Sequence, residues 1–567
     1  MELRQAIRAV RANFVSPKSD AVAGLVLGVQ SIPDGLATGV LAGVNPLAGL
    51  YAYLVGTVAG SLSTSSVFMV VQGTGAMAII IADVPTLHSG RNPGAALLML
   101  SVLTGVIMVV AGVFKFGAAL RFVSNAVMVG FINAVGVNII LGQLTNLTGY
   151  SAPGANRVVR SFNTFRSPSE LHWQSIVIGL VTIAGILLLE RTPIGSLGLV
   201  VSVIATSAFV YFVGLSGVAT LHGLGVNISG LPRPTIPRLG LSLPLVLPAL
   251  SLAFVGLVQG AGVSANFLNP DGTALDASRD FVGQGVANIA SGVFQGMPVG
   301  GSVSASAISK QAGARTRLAP LVAGLVMAVV IVALGGVVAY IAMPALAGLL
   351  ILVGARTIKL DDVWSVWRTG TVQKVVFVTT FILTMIIPLQ YAVLVGVAVS
   401  IVLYVVKQSN QVTIKQLTRV GSFYVVEVDP PTELPASKVV VLQPYGSLFF
   451  AAAPVFEAAL PAVSEDSRSS VVILRLRGRT ELGTTFMDVL LRYAISLRDV
   501  DSRLVLVSAN ARISEQLDIT GITDVIGASS VYEGDERVGA TLQRAYEDAL
   551  AWVEARRTDS GPQNGPA

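Results

Sequence analysis

Two stretches decide the reading of this chain: Val67-Phe68-Met69-Val70-Val71-Gln72-Gly73-Thr74-Gly75-Ala76 and Met297-Pro298-Val299-Gly300-Gly301-Ser302-Val303-Ser304-Ala305-Ser306. Each has an extended apolar or proline-bearing lead, then glycines, then small residues that open a helix. Both interrupt a hydrophobic region and fall at corresponding places in its two halves, which is the sequence pointer to an inverted-repeat transporter. A bilayer core offers no hydrogen-bond partners, so the N–H groups freed at such breaks need protein, water or a substrate. Two facing helix N-termini favour an anion.

Composition places these breaks in a membrane. Of 567 residues, 53% are hydrophobic and 12% charged, against about 25% charged in a soluble domain. Between Asp20 and Lys407 the only acidic residues are Asp20, Asp34, Asp83, Glu170, Glu190, Asp271, Asp276, Asp280, Asp361 and Asp362; nearly all others lie beyond Lys407. This shift separates a membrane domain from a soluble C-terminal domain. The net charge of +6 does not indicate nucleic acid, because the cations stand singly at the ends of hydrophobic runs. The absence of cysteine excludes disulfides and thiol ligands and fits a C-terminal domain facing the cytoplasm. Arg4, Arg8, Arg11 and Lys18 precede the first run without a small-residue cleavage site, so that run is expected to be an anchor with its N-terminus inside.

Hydrophobic runs lie at 20–44, 46–62, the first break at 67–82, then 95–114, 125–144, 176–189 and 197–215. After the proline-rich loop 231–237 they resume at 244–267, 281–294, the second break, 318–338, 343–353, 375–388 and 391–406. Each half therefore carries seven segments at roughly 20 residues per crossing, fewer at the breaks. Alternation puts Lys115, Arg121, Arg191, Lys310, Arg315, Arg317, Arg356, Lys359, Arg368, Lys374 and Lys407 inside, and Arg91, Arg157, Arg160, Arg166, Arg233 and Arg238 outside. The balance supports cytoplasmic termini, with the 157–166 loop as an exception. Beyond Lys407, valine-rich runs at 423–428, 438–442, 471–476 and 504–507 alternate with helical patterns at 453–463, 484–497 and 540–553, which predicts a small α/β sheet. The expected domains are a cytosolic N-terminus at 1–19, a transport domain at 20–407 with repeats at 20–217 and 241–407, a linker at 408–436, an α/β domain at 437–555 and a disordered tail at 556–567.

The chain resembles the SulP sulfate-permease family of anion transporters and exchangers nearly end to end. The resemblance is carried by Asp20-x-x-Ala-Gly24, Ile32-Pro33, Leu41-Ala-Gly43 through Gly49-Leu-Tyr51, Gly285-x-Ala-Asn288 and Gln311-Ala-Gly-Ala-Arg-Thr-Arg317. It implies two inverted seven-segment repeats, a core domain that moves against a gate domain, a cytoplasmic STAS domain, homodimers, and a substrate site between the third and tenth segments, lined by the first and eighth. Three positions depart from the family's pattern. Gln259 stands where the eighth segment usually has Glu, Ala305 where many tenth segments have Arg, and Asp34 where Gln usually follows the first-segment proline. Joint loss of two opposite charges is self-consistent, since losing one alone would strand the other at about 3–5 kcal/mol. Where signalling relatives carry an Asp-Ser-Ser/Thr-Gly phosphorylation loop, this chain reads Glu481-Leu-Gly-Thr-Thr485, and without the Asp there is little to mark Thr484 for phosphorylation.

The expected anion site comprises Gln72, Gly73, Thr74, Gln259, Gly301 and Ser302, with the backbone amides of Thr74 and Ser302 holding the anion and Gln259 orienting it. Ser304 and Ser306 belong to the same helix opening, although small and hydroxyl residues also serve plain helix packing. Asp34 is the one carboxylate placed deep in the membrane, where an ionisable group is a functional candidate by default; its plainer role is to satisfy backbone freed at Pro33. His88, His172 and His222 lie in loops without ligand spacing, so no metal site is expected, and no nucleophilic triad, phosphate loop or cofactor motif is seen. The expected function is secondary transport of a small anion such as sulfate, bicarbonate or a carboxylate across a plasma membrane, a bacterial inner membrane, with H+ or Na+ as the coupled ion. The alternatives are a transport-inactive regulator that recruits cytosolic partners through its STAS domain, and a nucleobase permease of similar architecture, against which Gln259 and Ala305 count.

Overall fold

The computed structural model describes residues 17–559 except 90–91, 117–123, 225–229, 237–242, 271, 410–411, 421–423, 536 and 538. Arg4, Arg8, Arg11, Arg91, Arg121, Arg238, Asp271, Phe423 and the end of the tail therefore lie outside the described residues. The chain forms two compact units, 1–400 and 401–567.

In the first unit, segment one is a single helix, Pro17–Leu41, that runs through Pro33, where the missing N–H leaves the carbonyl one turn back unpaired. Segment two, Pro46–Ser63, begins at Asn45, whose side chain accepts from the Leu47 amide. Segment three is a two-residue strand β1, Val71–Gln72, followed by the short helix Gly75–Ala82. Segments four to seven are Pro93–Val113, Asn125–Thr148, Trp173–Leu189 and Gly198–Val213. Segments eight and nine are Val246–Asn266 and Ala277–Val293; segment ten repeats the broken pattern as β2, Gly300–Gly301, and the helix Val303–Gln311. Segments eleven to fourteen are Leu318–Val338, Met343–Thr357, Thr371–Ile386 and Leu389–Ser409. Among the described residues, seven helices of this unit are long and apolar enough to cross a membrane. Exposed apolar side chains such as Phe212, Leu325, Val329 and Val337 suit lipid contact on the flanks of segments seven and eleven.

Packing sorts the segments into two groups. Segment one lies along eleven, four along nine and eight, and two along nine, whereas five lies along twelve and thirteen, and six along seven and twelve. Backbones touch where glycines permit it: a Cβ on Gly49 would stand 2.1 Å from the Gly35 carbonyl oxygen, which joins segments one and two without side chains between them. Two further helices, Arg157–Arg166 and Leu360–Thr369, escaped the hydropathy reading because they are short and amphipathic; they expose Phe162 and Phe165, and Trp364 and Trp367.

The second unit corrects one expectation. Residues 408–436 are not a linker: β3, Thr413–Val420, and β4, Tyr424–Val428, belong to a six-stranded sheet ordered β4-β3-β5-β6-β7-β8. β5 (Val439–Tyr445), β6 (Val471–Arg475), β7 (Arg503–Ala509) and β8 (Val531–Glu533) run parallel. Their continuous apolar runs are buried on both faces, as parallel strands require. Val440, Leu442, Val472 and Leu474 face Phe456, Phe486 and Leu490, while alternate residues Val441, Ile473, Val505 and Val507 face Ala545, Ala549 and Val553 of the last helix. That helix, Ala540–Asp559, also takes up the start of the expected tail. The helix Ala511–Ile519 and β8 were not anticipated, and Glu481, in the loop compared above with a phosphorylation loop, pairs with Arg512.

Candidate functional site

The two breaks meet. β1 and β2 pair antiparallel, Val71 opposite Gly301 and Gln72 opposite Gly300, so the third and tenth segments share a two-stranded ribbon inside the membrane unit. This ribbon satisfies much of the backbone that lipid cannot. The Ser302 amide donates to the Val70 carbonyl at 2.9 Å, and the Val70 amide to Ser306 Oγ at 3.0 Å. Segment nine holds the other side: Gln284 Oε1 accepts from the Gly301 amide at 2.9 Å, and Asn288 both accepts from the Val299 amide and donates to its carbonyl. Gly301 has no room for a side chain, because a Cβ there would lie 2.7 Å from Gly260 Cα.

Beyond the ribbon, each chain turns into a capped helix. Thr74 Oγ1 accepts from the Met77 amide at 3.4 Å, and Ser302 Oγ from the Ala305 amide at 3.3 Å. Since the Thr74 hydroxyl accepts there, its own proton goes to Gln259 Oε1 at 2.9 Å. That bond occupies Gln259 Oε1 and leaves its NH2 to donate elsewhere. The amides of Thr74, Gly75 and Ala76, and of Val303 and Ser304, find no acceptor among the described residues, as expected for first-turn positions. Val303 and Ser304 are exposed and Thr74 and Gly75 half-buried.

The expected site residues therefore divide. Thr74 and Gln259 come together, and Gly73 and Gly301 shape the ribbon. The Ser302 amide is already committed to Val70, so in this conformation it does not hold an anion; its hydroxyl and the two following amides stand nearer that task. Gln72 is buried and its Nε2 donates to Ser31 Oγ at 2.9 Å and Thr57 Oγ1 at 3.0 Å, anchoring β1 to segments one and two. Ala305 is buried against Leu27, Val70 and Ala323. The three histidines stay apart: His88 Nε2 lies 3.0 Å from the Ala82 carbonyl, His172 precedes segment six, and His222 stacks on Tyr340.

Asp34 is half-buried on segment one, and its Oδ2 accepts from the Tyr53 hydroxyl at 2.8 Å. The same hydroxyl lies 2.7 Å from the Gly73 carbonyl and 3.1 Å from Thr38 Oγ1. Asp34 thus touches the end of β1 through one side chain. Tyr53 was missed from the sequence; the available signal was a phenol inside a membrane segment, which needs a partner for its O–H.

A second missed feature accounts for one of the three arginines in the charge exception. Arg157 donates to both oxygens of Asp83, at 2.7 and 3.3 Å, and the Leu389 amide donates to Asp83 Oδ2 at 3.1 Å. Asp83 ends the third segment, whereas Arg157 follows the fifth and Leu389 opens the fourteenth. This arginine is held by a carboxylate partner across the two packing groups, so its position need not obey the loop-charge rule.

Residues 18–380 match the Sulfate permease family and 433–545 the STAS domain. The chain is 25% identical over 538 residues to the putative sulfate transporter YvdB of Bacillus subtilis (strain 168), covering 93% of this chain and 98% of that one. It is 27% identical over 533 residues to the probable sulfate transporter Rv1739c of Mycobacterium tuberculosis (strain ATCC 25618 / H37Rv), covering 91% and 93%. Among solved structures, SLC26A9 superposes with a TM-score of 0.79 over 96% of this chain and 91% of that one at 17% identity. The transmembrane domain of the cyanobacterial bicarbonate transporter BicA superposes with a TM-score of 0.57 over 68% and 98% at 20% identity. With the fold, the paired breaks and the family's own residues in agreement, the chain belongs to the sulfate permease family of membrane transporters.

Proposed function

We propose that this protein is a secondary transporter that moves a small anion across the plasma membrane by alternating access, with H+ as the coupled ion. The observation that carries the proposal is the pair of capped helix openings, joined by the β1–β2 ribbon, whose first-turn amides lack acceptors among the described residues, with Gln259 bonded to the Thr74 hydroxyl at one of them. Each helix N-terminus presents about half a positive charge. Two of them with fixed N–H donors replace part of an anion's hydration without a full cation, which fits Gln259 and Ala305 at positions where charged residues would otherwise stand. Names of the relatives favour sulfate and bicarbonate as candidates.

Segments one to four and eight to eleven carry the openings, and segments five to seven and twelve to fourteen form the group against which they rock. Asp34 supplies the proton site. An anion and a protonated carboxyl avoid the repulsion between an anion and a carboxylate, so each favours the other by linkage. A sodium ion at Asp34 is the competing coupling. Both termini face the cytoplasm and the working unit is a homodimer, as the family pattern suggests.

The test is uptake into liposomes carrying the purified protein. Saturable uptake of sulfate, bicarbonate, nitrate, chloride or a dicarboxylate above empty liposomes is expected, with accumulation driven by an inward proton gradient. If none of these anions is bound or moved while residues 429–553 capture a cytosolic partner, the protein is a regulator instead.

A further inference from the structure

We propose that Tyr53 is the positioning residue that passes the protonation state of Asp34 to the anion site, by choosing between two acceptors for its single hydroxyl proton. This rests on the proton-coupled transport proposed above and names its structural link.

The geometry allows one choice at a time. Tyr53 Oη is 2.8 Å from Asp34 Oδ2 and 2.7 Å from the Gly73 carbonyl oxygen. A phenol has one proton to donate, so both acceptors are not served together. Thr38 does not resolve the competition: its proton goes to the Asp34 carbonyl at 2.6 Å, and its oxygen is the more distant neighbour of Tyr53 at 3.1 Å. With Asp34 ionised, Tyr53 donates to the carboxylate, since a charge-assisted bond is roughly twice as strong as a neutral one. The Gly73 carbonyl then faces an oxygen lone pair. With Asp34 protonated, the carboxyl O–H donates to Tyr53 Oη, and the phenol turns its proton to Gly73. One proton arrives from solution at Asp34, and Tyr53 gains and loses none.

That turn reaches the anion through a single peptide group. The Gly73 carbonyl and the Thr74 N–H belong to the same peptide unit, and the chain has no cis peptide among its described residues, so the two point in opposite directions. A hydrogen bond to the carbonyl polarises the unit and strengthens its N–H as a donor, by about 10–30% per bond. Thr74 N–H is one of the unpaired first-turn amides. Protonation on the Asp34 side therefore strengthens the grip on the other side of the same peptide, without any movement of the backbone.

Other titratable groups do not intervene. On the elements packed against segment one, Tyr51 donates to the Gly230 carbonyl, Tyr211 meets Phe212 and Tyr340 edge-on, Lys310 sits over Phe68 and Phe267, and Arg356 pairs with Glu190. On segment one itself, Asp20 accepts from the Arg315 and Thr316 amides and Lys18 is exposed at its start.

The test is equilibrium binding of the transported anion to the full-length protein at a pH above and a pH below the wild-type coupling midpoint, for wild type, Asp34→Asn, Tyr53→Phe and the double variant. Wild type is expected to bind about 5- to 10-fold tighter at the lower pH, at the low end of ordinary site-to-site coupling. Asp34→Asn is expected to bind at both pH values as wild type does at the lower one. Its amide gains two bonds by donating to Tyr53 while Tyr53 donates to Gly73, and only one in the reverse orientation. Tyr53→Phe should keep only the part of the pH ratio that direct repulsion between anion and carboxylate supplies, and in the double variant the gain from Asn should fall to that part. A Tyr53→Phe protein that keeps the full wild-type pH ratio overturns the relay while leaving transport and coupling intact, as does a double variant that retains the tight binding of Asp34→Asn. If Tyr53→Phe fails to fold, the Asp34→Asn arm decides alone: binding at the weaker level overturns the proposal. Wild-type binding without pH dependence overturns the coupling and the relay together, and absence of any anion binding removes the transport proposal itself.

Discussion

Replacing Asp83 by Asn tests whether the contact between the two packing groups is a latch on one side of the transport path. Asp83 sits at the end of the broken third segment and is held by Arg157 and by the Leu389 amide, both in the opposite group. The side chains of Arg157 and Asp83 are 13% and 16% exposed, so solvent screening is limited but not absent. A hydrogen bond to a charged group is worth about 1.5–3 kcal/mol, and Asn keeps one oxygen for Arg157 or Leu389. The net loss is taken as about 1–2 kcal/mol, a factor of about 5–30 in the equilibrium between latched and released states. The chain has no cysteine, so a single Val303→Cys, at an exposed position in the tenth-segment opening, reports access directly. If Arg157 lies on the external side, as the proposed orientation requires, Asp83→Asn should raise the modification rate by an impermeant maleimide added outside by that factor. Arg157→Gln should do the same, and the double variant should add little more. Unchanged external labelling in both single variants refutes the latch and leaves the ion pair a packing contact.

Gln259→Ala removes the NH2 donors and the acceptor that orients the Thr74 hydroxyl; anion affinity is expected to fall about 10- to 100-fold, the loss of a hydrogen bond to a charged group, as read by titration calorimetry. Gly49→Ala places a Cβ 2.1 Å from the Gly35 carbonyl oxygen, a backbone atom that cannot turn aside, and should cost about 1–3 kcal/mol, seen as a lower Tm in detergent. In the C-terminal unit, burial and then a hydrogen bond to the Asp548 carboxylate push Tyr532 up to about 12 from 10.0. A folded-state pKa above the unfolded value gives stability present in full below pH 10 and lost as pH rises toward 12; Tyr532→Phe should flatten that part of the denaturation midpoint against pH relative to wild type, and an unchanged slope contradicts the assignment.

Much of the membrane architecture was legible because its signals are local. An apolar run of about 20 residues reports a crossing whatever lies beside it, and Gly73-Thr74-Gly75 and Gly300-Gly301-Ser302 announce helix openings through their own conformational needs. Short amphipathic helices such as Leu360–Thr369 carry too little apolar length to register. The strand Thr413–Val420 was read as linker because its alternation is weak and its partner β5 begins at Val439.

By itself, then, the sequence determined the membrane class, the paired breaks, the soluble α/β domain and the candidates Thr74 and Asp34, since composition, period and helix-opening chemistry are properties of neighbouring residues; Gln259 became a candidate through the resemblance to the family's eighth segment. Only the tertiary structure decided which donors are free. The Ser302 amide is lost to Val70 and the Gln72 amide to Ser31 and Thr57, while Tyr53, 20 positions before Gly73 in the chain, joins that residue to Asp34. A hydrogen-bonding group satisfies its valence in three dimensions, and a chain read in one dimension shows which groups exist but not which of them are already taken.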